Sequence, residues 1–189
     1  IIGIDTARLI DINSWCDVYI NNAINKAPSN GNSSVEYRYG LGNVVLSDCD
    51  LDSALSTNSN PLPNEIRSLT FNNCKLKQGF YEDVNSTSST LLTFNGCLLG
   101  DAILMRNSGV CVKDCVFTEK KTGVQSYAHN TNIFVIGNLK QQTLPLVFLT
   151  SGSQSNNCVL TNNTVYSSTV YQDSGTSNTV KENGNFSYA

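Results

Sequence analysis

The sequence predicts an all-β chain folded as a parallel β-helix of about eight coils, and three observations support this. A pattern of eight residues recurs about every 18 to 26 residues. Within each copy, two apolar residues stand two apart, the spacing of a strand with one buried face. Each copy then has Asn, Asp or Gly at one fixed position, and a repeat of this period is typical of a solenoid. The copies span 18–25, 44–51, 69–76, 92–99, 110–117, 134–141, 158–165 and 179–186, of which the first and last are weaker.

The fixed position is predicted to be a left-handed bend between two strands. Asn, Asp and Gly are the residue types that tolerate a left-handed backbone. The next residue is small or apolar in most copies, and two residues later an apolar side chain usually returns to the interior. Each coil should therefore run as a strand, a one-residue bend and a second strand. The predicted bend residues are Asn22, Asp48, Asn73, Gly96, Asp114, Asn138, Asn162 and Asn183, followed by Ala23, Cys49, Cys74, Cys97, Cys115, Leu139, Asn163 and Gly184.

A β-sandwich of evenly spaced hairpins is the alternative fold, because it also gives short strands and turn residues. Hairpins, however, place turn signals at both ends of each strand and do not require one repeating column of turn residues. Long windows lack the apolar spacing of three and four residues that marks helices. We therefore predict a single β-helix domain over 1–189, with an irregular first coil or cap at 1–17 and regular coils at 18–186.

Composition and charge restrict the possible partners. Charged residues make up 14% of the chain and the net charge is −3. A nucleic-acid partner would require a basic stripe to meet its phosphates, so we expect none. The longest apolar stretch, 144–149, is too short to span a membrane, so we expect no membrane insertion. The chain begins at Ile1 in a strand-like sequence without an initiator Met, and we expect it to be a portion of a longer protein.

Four of the seven cysteines, Cys49, Cys74, Cys97 and Cys115, fall in one inward column of consecutive coils. Adjacent coils separate Cβ atoms by about 4.8 Å, which is longer than the roughly 3.8 Å of a disulfide. We therefore expect buried free thiols and assembly in a reducing cytosol. The chain has no CxxC pair and a single histidine, His129, so neither a metal site nor a cofactor is predicted.

A family resemblance adds to this prediction. The coil pattern, as in 69–76 and 112–117, resembles that of the pectate-lyase-like right-handed β-helices, and the Asn-, Ser- and Thr-rich loops look most like those of bacteriophage tailspikes. The resemblance covers about residues 18–186. It implies right-handed coils, a homotrimer of chains side by side, and a place in the virion tail after assembly in the bacterial cytoplasm. It also implies binding of a bacterial surface polysaccharide, which many members of the family cleave with paired Asp or Glu.

No catalytic triplet of that family aligns with this chain, so candidate catalytic residues come from the repeat alone. Asp101 and Glu119 lie at the same register in neighbouring coils, which predicts Cβ atoms about 5 Å apart. Retaining glycosidases place two carboxyl groups about 5 to 5.5 Å apart. Like charges at this distance would raise the pKa of one of them, as a general acid requires. The alternative is that both are solvated surface acids, neutralised by Arg106, Lys120 or Lys121.

Candidate ligand-binding residues cluster where aromatic and acidic side chains are adjacent. Tyr81 could stack on a sugar ring while Glu82 and Asp83 accept hydrogen bonds from its hydroxyls. The alternative is that Phe80 belongs to the core and the two acids begin a polar loop. Arg38 could pair with an acidic sugar or serve a contact between subunits.

Three functions are consistent with these features. The first is a tailspike or related receptor-binding protein that recognises bacterial surface polysaccharide. The second is a depolymerase, either a glycoside hydrolase or a lyase, that acts on the same glycan. The third is a structural β-helical stalk that only spaces other domains. An enzyme needs a groove with converging acids, a binding protein needs a groove with aromatic and amide side chains, and a stalk needs neither.

Overall fold

The computed structural model of this chain is a β-solenoid made of parallel strands, which confirms the predicted fold class. Among the residues described there is no helix, and so none with the length and apolar character to cross a lipid bilayer. The described residues are 10–14, 17–25, 34–40, 42–52, 54–56, 68–82, 91–106, 108–119, 121–141, 143–166 and 168–189, with the backbone alone for 10–14, 25, 36–40 and 54–56.

Three eight-stranded parallel sheets form the walls of the solenoid, and each coil contributes one strand to each sheet. Most strands of the first sheet have three residues. In the middle coils, where the side chains are described, the first and last residues of these strands are buried. The first strand of this sheet lies within 1–17, and the pairing of that strand shifts register between Ile12 and Asn13. The strands are β1 (Ile10–Ser14), β4 (Val35–Gly40), β7 (Ala54–Ser56), β10 (Phe80–Glu82), β13 (Ile103–Met105), β16 (Val124–Ser126), β19 (Val147–Leu149) and β22 (Tyr171–Asp173).

The second sheet contains the first half of the sequence repeat. Its two inward positions are buried in the middle coils, as at Leu69 and Phe71, while Thr70 between them is only half-buried. Phe71 and Phe94 stack in adjacent coils with ring centroids 5.0 Å apart. The strands are β2 (Val18–Asn21), β5 (Asn43–Ser47), β8 (Ser68–Asn72), β11 (Leu91–Asn95), β14 (Gly109–Lys113), β17 (Asn132–Ile136), β20 (Asn157–Thr161) and β23 (Thr179–Asn183).

The third sheet contains the second half of the repeat and follows the bend. Its strands are short because the chain turns again after two or three residues. They are β3 (Ile24–Asn25), β6 (Asp50–Leu51), β9 (Lys75–Leu76), β12 (Leu98–Leu99), β15 (Val116–Phe117), β18 (Leu139–Lys140), β21 (Thr164–Tyr166) and β24 (Phe186–Tyr188).

The predicted left-handed bend is confirmed in six of the eight coils, with φ between 50° and 60° at the predicted residue. It is wrong by one residue in the other two. Gly137 (φ 68°) and not Asn138 forms the bend after β17, and Gly184 (φ 62°) and not Asn183 forms the bend after β23. The cause lies in the sequence: 133–136 is a run of apolar residues without alternation, and 179–183 has one apolar residue, so neither strand fixes its register. The same shift leaves Phe186 exposed rather than buried.

With this correction, the column after the bend is a ladder of cysteines that continues as a ladder of asparagines. Cys49, Cys74, Cys97 and Cys115 are buried and unpaired, as predicted. Each thiol donates to a carbonyl oxygen of the preceding coil, for example Cys115 Sγ to Phe94 O at 3.4 Å. The hydrogen bond with the Cys115 thiol raises the pKa of Cys97 to about 12. Cys97 is therefore a protonated core residue with a weak donor, whereas its hydrogen bond to Cys115 lowers the pKa of the Cys115 thiol.

Asn138, Asn163 and Asn185 continue this column, in place of the predicted Leu139 and Gly184. Asn163 Nδ2 donates to Val135 O at 2.8 Å, and its Oδ1 accepts the backbone N–H of Asn138 at 3.0 Å. Asn138 and Asn163 are buried, so each amide supplies the partners that buried backbone groups need. The Cys115 N–H donates to Asn138 Oδ1 at 2.8 Å, which joins the two ladders.

A second left-handed bend, not predicted from the sequence, separates the first sheet from the second in the last coils. Asn130, Ser155 and Ser177 have φ of 54°, 54° and 56°. The residue after each bend again forms a ladder: Asn156 accepts the Thr131 N–H at 3.0 Å, and Asn178 accepts the Asn156 N–H at 3.0 Å. The signal was present in the sequence as a polar pair recurring at 130–131, 155–156 and 177–178.

Replacing Asn163 by Ala should destabilise the protein more than replacing any exposed asparagine. The change leaves the Asn138 N–H and the Val135 carbonyl without partners, and each unsatisfied buried group costs about 1–3 kcal/mol. We expect a loss of roughly 2–4 kcal/mol in the free energy of unfolding, measured by urea denaturation. Asn157→Ala is the control, because this exposed side chain has only a 3.5 Å contact and should change stability by less than about 0.5 kcal/mol. Equal effects of the two changes would contradict the ladder's role.

The shifted register also brings a lysine into the core. Lys140 pairs in register with Phe117 and Val165 on the third sheet and is fully buried. Its Nζ donates to the backbone carbonyl of Glu119 at 3.4 Å. Because burial disfavours the charged form, the pKa of Lys140 is lowered from its ordinary value of 10.5.

Lys140→Leu should therefore stabilise the protein, and the gain should depend on pH. Between the lowered folded pKa and 10.5, the unfolded lysine holds a proton that the folded one lacks, so native stability rises with pH across that window. The advantage of Lys140→Leu is thus largest below the window, at roughly 1–4 kcal/mol, and shrinks as pH approaches 10.5. Urea denaturation at several pH values would measure it, with the exposed Lys75→Leu as control. A variant less stable than the native protein at every pH would contradict this assignment.

Candidate functional site

The outward face of the first sheet carries an aromatic, aliphatic and amide column. Tyr81, Leu104, Gln125, Phe148 and Gln172 are paired in register on five consecutive strands. Tyr81 is 41% exposed, and the next three are half-buried. Because parallel strands are held by hydrogen bonds along both edges, these side chains project from a rigid surface.

A groove of about 350 Å³ opens between this column and the turns that lead into the first sheet from the third. The strand pairing places these turns one above another in successive coils, which brings residues distant in sequence to one surface. Ten of the described residues line the groove, and two of these are charged. Those that carry its chemistry are Gln78, Tyr81, Asp101, Leu104, Lys121 and Gln125.

Gly79 allows the turn before Tyr81 to lie close to the next coil. Its φ is 71°, a left-handed conformation, and a Cβ at this position would collide with the carbonyl oxygen of Ala102. The Phe80 N–H donates to that same carbonyl at 3.1 Å. A residue other than glycine would thus disturb both the turn and the placement of the tyrosine.

Asp101 lines the groove, and its carboxylate is held from two sides. Oδ1 accepts the Ala102 N–H at 2.6 Å, and Oδ2 pairs with Lys121 Nζ at 2.5 Å. Lys121 comes from the next coil, so the ion pair joins two successive turns. The side chain of Asp101 is 24% exposed and that of Lys121 is 65% exposed. The pair is therefore accessible to a ligand in the groove.

Glu119, the other residue of the predicted catalytic pair, is exposed and does not line the groove. It follows β15 at the same offset at which Asp101 follows β12, as the pairing of Leu99 with Phe117 requires. Asp101 nevertheless has Lys121 as its salt-bridge partner. The catalytic role of Asp101 and Glu119 remains a prediction.

Glu82 is buried, and its carboxylate accepts hydrogen bonds from the protein itself. Oε2 accepts the backbone N–H of Arg106 at 2.6 Å, and Oε1 accepts the Ser108 hydroxyl at 2.6 Å. These contacts hold Arg106 and Ser108 in place, and Glu82 does not line the groove. Asp83 lies outside the described residues. Arg38 lies in β4, where the backbone alone is described.

Two glutamines of the groove were not predicted from the sequence, whereas Lys121 was named there as a residue that could neutralise Asp101, and it does so. Gln78 Nε2 donates to Asp52 Oδ2 at 2.5 Å, and Gln125 Nε2 donates to the Tyr127 hydroxyl at 2.8 Å. Among the described residues no donor contacts the Oε1 atom of either amide, so both remain acceptors. The available signal was the outward position of Gln125 in β16, the first-sheet strand of its coil. That strand has three residues, too few to show a period.

The titratable side chains do not form a metal-ligand set. In the part of the chain that the structure describes, no three His, Cys, Asp or Glu side chains converge on one point. The histidine, His129, is exposed, and its Nε2 lies 2.6 Å from the carbonyl oxygen of Gly152. The chemistry of the groove is that of one ion pair, two amides and an aromatic ring.

Comparison with known proteins adds no assignment. No family model, curated protein or solved structure matches this chain. A functional proposal therefore depends on the fold and on the groove.

Proposed function

We propose that this chain is the β-helical part of a receptor-binding protein of the tailspike type, and that its groove binds a bacterial surface polysaccharide. The exposed ring of Tyr81 beside two amides is the observation that supports this. A pyranose ring has an apolar C–H face and a rim of hydroxyls, so it requires an aromatic surface next to hydrogen-bonding groups. The groove places such groups on a rigid sheet, which limits the entropy lost on binding.

Replacing Tyr81 by Ala should weaken glycan binding about tenfold, because the loss of a stacked ring costs on the order of 1–1.5 kcal/mol. The measurement is calorimetric titration with oligosaccharides released from capsular polysaccharides and lipopolysaccharides. Tyr166→Ala is a matched control: Tyr166 is 42% exposed, close to the 41% of Tyr81, but lies on the third sheet against Tyr188. Equal losses in both variants, or no binding to any surface glycan, would refute the proposal. The second result is also what a structural stalk predicts.

A depolymerase is the second candidate function, because the carboxylate of Asp101 lines the groove. Asp101→Asn or Glu119→Gln should then lower the cleavage rate by at least about 10², while binding survives in Glu119→Gln. New reducing ends and unsaturated sugars, assayed after incubation with the glycans, distinguish a hydrolase from a lyase. If the native protein releases neither product, the chain binds without cleaving.

The partners and the location of the protein are part of the same proposal. We expect three copies to associate side by side in the virion tail, after assembly in the bacterial cytoplasm. The unpaired cysteines of the ladder are consistent with a reducing compartment. In the outward column of the second sheet Val45, Thr70, Thr93, Cys111 and Val159 are half-buried, and Phe134 between the last two is exposed; these uncharged side chains suit a contact surface between copies. Sedimentation should show a trimer at micromolar concentration, and a stable monomer would contradict this expectation.

A further inference from the structure

We propose that the groove is selective for an uncharged sugar with adjacent hydroxyls, which the ion pair of Asp101 and Lys121 recognises directly. This inference rests on the proposed function, since it names the class of glycan that the same groove accepts. It follows from the balance of charge in the groove and from the donors and acceptors that the ion pair still offers.

The described residues that line the groove carry one positive and one negative charge, which neutralise each other. Of these ten residues only Asp101 and Lys121 are charged, and their Oδ2 and Nζ atoms are 2.5 Å apart. An acidic sugar that accepted a hydrogen bond from Lys121 would bring its own carboxylate close to that of Asp101. A cationic sugar would displace Lys121 and place two cations side by side. Either ligand meets a repulsive group that an uncharged sugar does not.

Three further charged side chains of the described residues are engaged elsewhere. The guanidinium of Arg106 lies over the Tyr127 ring, 4.3 Å from its centroid. Asp52 is buried and accepts the amide of Gln78. Lys140 is buried in the core and donates to a backbone carbonyl. Thus none of these three residues gives the groove a net charge that a ligand could neutralise.

The ion pair retains hydrogen-bonding capacity that matches a sugar diol. A carboxylate offers about four acceptor sites and an ammonium three donors, and the contacts to Ala102 and Lys121 occupy two of the former and one of the latter. Each sugar hydroxyl is both donor and acceptor. Two adjacent hydroxyls can therefore donate to Asp101 and accept from Lys121 without breaking the pair. Tyr81 and Leu104 then cover the apolar face of the ring.

The decisive test compares glycans that differ only in charge. The probes are capsular polysaccharides containing hexuronic acid, each used before and after chemical reduction of its carboxyl groups to neutral hexose, together with neutral O-polysaccharides. We expect binding to neutral or carboxyl-reduced chains and at least tenfold weaker binding to the acidic forms. Because no net charge is paired, affinity should change by less than about twofold between 50 and 500 mM NaCl.

Variants of the pair test its direct role. Asp101→Ala and Lys121→Ala should each weaken binding to the neutral chains by roughly tenfold or more, the scale of hydrogen bonds to charged groups. The double variant should lose little more than either single one, because the two side chains act as a unit. Lys113→Ala is the control, since this exposed lysine lies on the second sheet and should leave affinity unchanged.

The outcomes separate this inference from the proposed function. Preference for the acidic chains, with affinity that falls steeply with salt, would overturn the selectivity and leave glycan binding intact. If Tyr81→Ala weakens binding to the neutral chains but Asp101→Ala and Lys121→Ala do not, the role of the ion pair is overturned. Binding to none of the glycans would overturn both proposals. Circular dichroism of each variant ensures that the loss of affinity is not loss of fold.

Discussion

Hydrogen bonding between coils in strict register is the constraint on which the rest of this structure depends. A one-residue bend keeps that register only if its own backbone groups still reach the next coil. Residues in the left-handed conformation meet this condition: the Asn73 N–H donates to Asn95 O at 2.8 Å and the Gly96 N–H to Lys113 O at 2.9 Å. The bend thus changes the direction of the chain without interrupting the ladder, and the third sheet begins where the second ends.

The inward residue after the bend then has to satisfy backbone groups that the turn leaves inside. Cysteine does so with a weak donor, as in Cys74 Sγ to Leu46 O at 3.5 Å. Asparagine does so from both ends of its amide, and the position of Asn163 is equivalent to that of Cys74. The two solutions share geometry but differ in consequence: a cysteine contributes mainly apolar packing, whereas a buried amide is stable only when every neighbour in its ladder is present.

The sequence predicted the register correctly where apolar and polar residues alternate, and wrongly where they do not. In 69–76 only one register places the apolar side chains in the interior, and the structure has that register. In 133–136 every residue is apolar, so only the hydrogen bonds to neighbouring coils decide that Ile133 and Val135 face inward. The same register also buries Lys140. The groove was only partly predictable. Tyr81 was identified by residue type and Asp101 by its register, but which residues meet in the groove depends on the turns between the third and first sheets, whose lengths vary from coil to coil.

The difference between the repeating walls and the non-repeating turns explains where selectivity can arise. The strands fix side chains at the spacing of the sheet, so a linear polymer lying across them meets the same distance at each coil. The turns alone introduce features that occur once, such as the ion pair that joins two successive coils. Under the proposed function, the self-neutralised pair on a rigid ladder would distinguish sugars by the positions of their hydroxyls, because the described residues of the groove offer fixed donors and acceptors and no net charge. Specificity would then reside in two turns, while the walls supply affinity and rigidity.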